Sequence, residues 1–189
     1  MDVIEAIHKR HSVPKVKPDP VPRELIEKLL DAGNQAPNHY TVRPWRFFVL
    51  TGDARKRLGD VMAASQKDRF PDLPAEGLDK TRALPLRAPV LIALGVDKPA
   101  ESKVIEVENI SAVAAAAQNI LLAAHALGLG AMIRTGDWAR DPKVKHFFGL
   151  AEDQHIVGFI YVGYPEVQAD PAPVPAPRPA VADRIVWMD

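Results

Sequence analysis

The order of apolar and polar residues along this chain predicts that it opens with two helices. Asp2, followed by Glu5 three positions later, predicts the capped start of a first helix that ends near Arg10. A stripe of apolar residues after Pro22 predicts a second helix that stops at Gly33. The polar residues that follow predict a loop.

Four short apolar runs predict buried strands at residues 45–50, 89–96, 131–135 and 156–162. We expect a helix capped by Asp53 after the first of these strands, and a short helix that starts at Asp141 before the last. Residues 70–87 contain three prolines and little periodicity, which predicts a mobile lid or an irregular excursion.

The longest predicted helix covers residues 105–127 and is rich in alanine. It is apolar on nearly every side, so it must be covered on nearly every side. A chain of 189 residues has few other elements that could cover this helix. We therefore expect a second subunit, in a homodimer, to supply the missing packing.

The composition limits the classes of partner and site. The 24 basic and 24 acidic residues cancel, which disfavours nucleic acid or a membrane surface as a partner. The absence of cysteine excludes thiol chemistry and cysteine-bound metals, and the spacing of the six histidines does not favour a metal site. The acidic start does not resemble a signal peptide, so we expect a cytoplasmic protein.

Five of the 18 prolines crowd into residues 171–179, which cannot form a helix or a central strand. We expect one domain over residues 1–170 and a proline-rich extension over residues 171–189 that packs on the partner subunit, with Trp187 as its anchor. The alternative is a simple linker.

Two segments carry cations where a chain leaves a regular element. Arg10, His11 and Ser12 follow the first helix, and Arg134 lies at the end of a short strand. Together they form a plausible anion clamp, because two guanidinium groups can share one phosphate. Each arginine alone is more typical of a solvated helix end or strand end.

The loop at residues 34–40 offers amides, an imidazole and a phenol to the edge of a polar heterocycle, although an asparagine-rich turn is an equal alternative. The chain has no Gly-x-Ser-x-Gly, Walker or His-Glu-x-x-His motif, which favours chemistry supplied by a cofactor. Gly128 and Gly130 precede a strand instead of following one, so they indicate a helix end and not a dinucleotide fingerprint.

These segments resemble the nitroreductase family in their order and spacing. The resemblance rests on four pieces and spans nearly the whole chain. They are Arg10-His11-Ser12, the Ala36-Pro37-Asn38-His39 loop before Pro44-Trp45-Arg46-Phe47-Phe48, the alanine-rich helix, and Gly128-Leu129-Gly130-Ala131-Met132-Ile133-Arg134. Two positions depart from the family pattern: His11 replaces a second arginine, and Arg43 replaces a glutamine.

The resemblance implies an α+β fold with a central, mostly antiparallel sheet wrapped by helices, in an intertwined homodimer that binds FMN between its subunits. It implies that hydride passes from NAD(P)H through the flavin to a small acceptor such as a nitroaromatic or quinone, in ping-pong order. Flavin N5 does the chemistry, so no side chain is expected to be catalytic. The residues expected to bind FMN are Arg10, His11, Ser12, Ile133, Arg134 and Thr135 of one subunit and Gln35 and His39 of the other.

Three alternatives remain open at this point. The same scaffold could carry out flavin fragmentation or dehalogenation, or could bind a flavin without turnover. A homodimer with no cofactor is the third, but it leaves the arginines and the His39 loop unexplained.

Overall fold

The fold consists of one four-stranded sheet with helices on both faces. The computed structural model describes residues 2–99, 103–166 and 180–188. The helices are α1 (Val3–Lys9), α2 (Arg23–Asn34), α3 (Gly52–Arg69), α4 (Ala75–Arg82), α5 (Glu106–Ala126) and α6 (Pro142–Phe147), and the strands are β1 (Trp45–Leu50), β2 (Val90–Val96), β3 (Gly130–Arg134) and β4 (His155–Gly163). Short 3-10 turns occupy His39–Thr41, Leu84–Arg87, Asp137–Ala139 and Val181–Arg184.

The strand order is β1-β2-β4-β3, and every neighbouring pair is antiparallel. Strand β2 is central and is buried along its whole length, as its unbroken apolar run predicts. Strands β1 and β3 form the two edges of this sheet within the described residues. The expectation of an antiparallel sheet wrapped by helices is therefore confirmed.

The alternation of side chains along the strands divides the core into two layers. Helices α2 and α5 cover one face, where Ile92, Ile120 and Ile160 are fully buried. Helices α3 and α6 cover the other face, around Leu58 and Val144. Each fully buried side chain of this size contributes roughly 1.5–3 kcal/mol of hydrophobic free energy.

Helix α5 is long and apolar enough, by composition, to cross a membrane. Its buried side chains pack on α2 and on the sheet, which is the environment of a core helix. Several positions that remain exposed on α5 are small or polar, such as Ser111, Ala114 and Gln118, whereas Val107 in its first turn is 62% exposed.

Two sequence-based expectations were wrong. Residues 70–87 do not form an irregular excursion, because they contain α4 and a 3-10 turn that pack along α3. Asp53 does not cap α3: Thr51 occupies the capping position, and Asp53 forms an ion pair with Lys56 at 2.8 Å. By contrast, Asp2 accepts hydrogen bonds from two backbone N–H groups of α1, as predicted.

The C-terminal residues that the structure describes, 180–188, have large apolar side chains in solvent. Trp187 is 83% exposed and Met188 is 92% exposed. The predicted polyproline run at residues 171–179 lies outside the described residues.

Candidate functional site

The first group of predicted site residues lies beside β3, at an edge of the sheet. The segment that leaves α1 runs along this edge, where the Val13 N–H donates a hydrogen bond to the Ala131 carbonyl oxygen at 3.0 Å. Gly130 permits this approach, because a Cβ there would lie only 2.8 Å from the side chain of Val13. The structure thus joins residues 10–12 to the strand that carries residues 133–135.

The outer edge of β3 offers backbone hydrogen-bonding groups beyond this contact. Backbone polar groups alternate between the two edges of an antiparallel strand, so those of Ile133 face the same open edge as those of Ala131. Among the described residues, no hydrogen bond from outside the sheet reaches the Ile133 backbone. This edge can therefore bind the polar rim of a ligand.

The two predicted arginines have different surroundings. Arg134 points towards the α3 side, and its guanidinium carbon lies 5.9 Å from the centroid of the Tyr161 ring, which is within cation–π range. Arg10 follows α1 on the α5 side, near His125. Burial lowers the pKa of His125, and the positive charges of His11, Arg10 and Lys9 lower it further.

The second group of predicted site residues lies in the loop that follows α2. Two of its asparagines hold the loop itself: Asn34 accepts a hydrogen bond from the Trp45 indole at 3.0 Å, and Asn38 accepts one from the Arg43 N–H at 2.8 Å. The asparagines therefore build the turn, while Gln35 and His39 remain exposed.

Backbone strain is concentrated in the same loop. Tyr40, Thr41 and Arg43 all have positive φ angles, of 49°, 54° and 48°. Such angles cost free energy for residues other than glycine and are common where a loop is held for a function. The hydrogen bond between Asn38 and Arg43 spans this strained stretch and stabilises it.

An acidic residue of α5 holds His39 in position. The Nδ1 atom of His39 lies 2.8 Å from Oε2 of Glu108, and the imidazole stacks on the Tyr40 ring with 4.0 Å between ring centroids. The hydrogen bond from His39 lowers the pKa of Glu108. Sequence reasoning missed Glu108, although its place in the first turn of the long helix was a usable signal.

One chain does not bring the two groups together. Glu108, beside His39, starts α5, whereas His125, beside Arg10, ends it. At 1.5 Å per residue these positions are roughly 25 Å apart along the helix axis, which exceeds the length of an FMN molecule. If both groups bind one flavin, two chains must contribute.

Comparisons with known proteins identify the family of this chain. The family model described as the nitroreductase family matches residues 7–164. The chain belongs to the nitroreductase family. It is 34% identical to YdjA of Escherichia coli (strain K12), whose name places it among NAD(P)H nitroreductases, over 96% of this chain and 98% of YdjA. It is 30% identical to YfhC of Bacillus subtilis (strain 168), a protein with the same kind of name, over 97% of this chain and 93% of YfhC.

Solved structures with the same fold include relatives of this family. A nitroreductase-like family protein from Bacillus cereus is 25% identical, with a TM-score of 0.83 over 100% of this chain and 97% of the other. A protein of Desulfovibrio desulfuricans, named as a nitroreductase and solved in complex with FMN, is 27% identical, with a TM-score of 0.73 over 100% of this chain and 98% of the other. The family membership and fold implied by the resemblance are thus confirmed.

Proposed function

We propose that this protein is a cytoplasmic FMN-dependent oxidoreductase that transfers hydride from NAD(P)H, through the flavin, to a small organic acceptor such as a nitroaromatic or quinone. The observation that carries the proposal is the hydrogen bond between Val13 and Ala131, which joins the Arg10 segment to the Arg134 strand. The FMN-bound relative and the NAD(P)H nitroreductase names of the curated relatives support the choice of cofactor and donor.

The residues around β3 fit a flavin nucleotide. Arg10 and Arg134 have no carboxylate partner among the described residues, so their charge is available to a phosphate. Ser12 and His11 add donors to the same segment, and the free backbone of Ile133 suits the hydrogen-bonding rim of a heterocycle. Thr135 extends this edge.

When bound, FMN supplies the redox chemistry, and the protein must position the ring and exclude water from it. Donors near one edge of the ring favour its reduced, anionic form. The NAD(P)H donor and the acceptor would occupy the same cleft in turn, which gives a ping-pong order.

A homodimer completes the site in this proposal. The neighbours of His39 and Arg10 on α5, Glu108 and His125, lie roughly 25 Å apart along the helix axis, so we assign His39, with Gln35 of the same loop, to the flavin held mainly by the other subunit. The extension at residues 171–189 would pack on that subunit as well. The exposure of the adjacent Val186 and Trp187, at 82% and 83%, supports this placement, because a contiguous exposed apolar patch typically marks an interaction surface.

The decisive experiment is an absorbance spectrum of the purified protein before and after anaerobic addition of NADPH or NADH. We expect a bound flavin spectrum, its bleaching by the nicotinamide donor, and its return when a nitroaromatic or quinone is added. A colourless protein that ignores added FMN would overturn the proposal. A flavin spectrum that neither donor bleaches would instead identify a non-catalytic flavin-binding module, and product analysis separates acceptor reduction from dehalogenation or flavin fragmentation.

A further inference from the structure

A cavity lies on the α3 side of the sheet. It has a volume of about 410 Å³ and opens between α3, the 3-10 turn Leu84–Arg87 and the ends of β3 and β4. Its walls are mostly apolar and include Leu58, Met62, Leu84, Leu91, Met132 and Phe159. A cavity of this size with a few polar groups is typical of a small-molecule site.

Two cations line this cavity. Arg134 enters it from β3, and Arg87 enters it from the 3-10 turn. Within the described part of the chain, no carboxylate lies within ion-pair distance of either guanidinium group. A cleft lined by one sign of charge concentrates ligands of the opposite sign, so the cavity favours an anion.

Two aromatic side chains add a flat surface and a hydrogen-bond donor. The Trp138 ring is held by Arg69, whose guanidinium carbon lies 4.9 Å from the ring centroid. The Tyr161 hydroxyl has no hydrogen-bond partner among the described residues, and burial raises the pKa of Tyr161. The phenol therefore keeps its proton and remains available as a donor.

We propose that this cavity binds a planar aromatic monocarboxylate at a site separate from that of the flavin ring. The arginines offer paired N–H groups that match a carboxylate, Tyr161 offers a further donor, and the apolar and aromatic walls suit a ring system. Ile133, Arg134 and Thr135 line both the cavity and the proposed flavin site, whereas Arg87 belongs to the cavity alone. The ligand would therefore bind next to the flavin phosphate and not over the ring.

The test is calorimetric titration of the FMN-loaded protein with 2-naphthoate, using neutral 2-naphthamide as the matched ligand. We expect 2-naphthoate to bind, and 2-naphthamide to bind at least about tenfold more weakly because it lacks the charge. Arg87→Gln should weaken the binding of 2-naphthoate by roughly 10- to 100-fold. The control Arg57→Gln, at an exposed position of α3 outside the cavity lining, should change the affinity by less than about twofold.

Three results would overturn the proposal. The first is an affinity for 2-naphthoate that Arg87→Gln does not change. The second is a change in the flavin absorbance bands on titration, which would place the ligand over the ring. The third is loss of FMN from Arg87→Gln, which would assign the cavity to the flavin phosphate. If the protein proves unable to bind FMN, the same titration on flavin-free protein tests the cavity independently.

Discussion

The hydrogen bond from the Val13 N–H to the Ala131 carbonyl oxygen, 3.0 Å long, connects the segment after α1 to an edge strand far along the chain. It places Arg10 three residues from one end of the contact and Arg134 three residues from the other. The proposed flavin site depends on this arrangement.

Arg134 is expected to act as an anchor for FMN. Arg134→Ala should weaken FMN binding by roughly 10- to 100-fold, because a charge-assisted hydrogen bond to phosphate is lost. The rate of hydride transfer in protein refilled with FMN should change much less. Flavin fluorescence titration and anaerobic stopped-flow absorbance measure the two quantities.

Arg140→Ala, at a nearby exposed position, serves as the control and should leave FMN affinity unchanged. Equal FMN affinities for Arg134→Ala and the parent protein would rule out the anchoring role.

Glu108 is expected to position His39 for the partner subunit's flavin. Glu108→Gln removes the carboxylate from His39 Nδ1, 2.8 Å away, and should weaken FMN binding by about 2- to 10-fold. The matched control is Glu106→Gln, which removes a similar pair with His155 at 3.0 Å on the same turn of α5. If both variants bind FMN equally well, His39 does not act through Glu108.

The C-terminal extension is expected to stabilise the dimer. Removal of residues 171–189 should shift the protein towards monomers in sedimentation equilibrium. Trp187→Ala should weaken association by about 30-fold, as is usual for a buried interface tryptophan. Asp183→Ala, in the same exposed segment, is the control. A truncated protein that dimerises as tightly as the full chain would show that the extension is a linker.

Gly59 is expected to be required for the contact between α3 and α4. A Cβ at this position would lie 2.3 Å from the Arg82 carbonyl oxygen, which belongs to the backbone and cannot rotate away. Gly59→Ala should therefore destabilise the fold by about 1–3 kcal/mol, despite the better helix propensity of alanine.

Gly77→Ala is the matched control, because its Cβ would meet only the Leu73 side chain, at 3.0 Å. The free energy of unfolding from urea titration should change by less than about 1 kcal/mol in this variant. A more stable Gly59→Ala protein would contradict the packing argument.

His125 is expected to make stability depend on pH. Burial lowers its pKa below the ordinary value of 6.5, and its Nε2 atom is buried without a partner among the described residues. Below pH 6.5 the unfolded chain therefore binds a proton that the folded chain does not bind. Stability should fall as the pH drops from 6.5 towards the lowered pKa, and should be regained above 6.5.

His125→Gln should flatten this part of the stability profile. The free energy of unfolding near pH 8 serves as the reference for each protein. Urea unfolding at several pH values measures the profile. Parallel profiles for the two proteins would show that His125 does not contribute.

The sequence alone determined the elements whose signals are local. Three features were predicted because each depends only on residues close in the sequence. They are the apolar stripe of α2, the unbroken apolar run of β2 and the capping of α1 by Asp2. The resemblance to the nitroreductase family also came from segments that can be read without a structure. Residues 70–87 were misjudged because α4 is stabilised by packing on α3, which no local pattern records.

Only the tertiary structure decided which distant residues share a site. Val13 bonds to Ala131, His39 contacts Glu108, and Arg87 and Arg134 line one cavity. These contacts depend on strand order and helix packing, which bring together residues that no sequence spacing connects. The separation of His39 from Arg10 has the same origin, because α5 is rigid and holds their neighbours, Glu108 and His125, roughly 25 Å apart. Side-chain periodicity specifies which face of an element is buried, but the neighbours on that face are set by the whole chain.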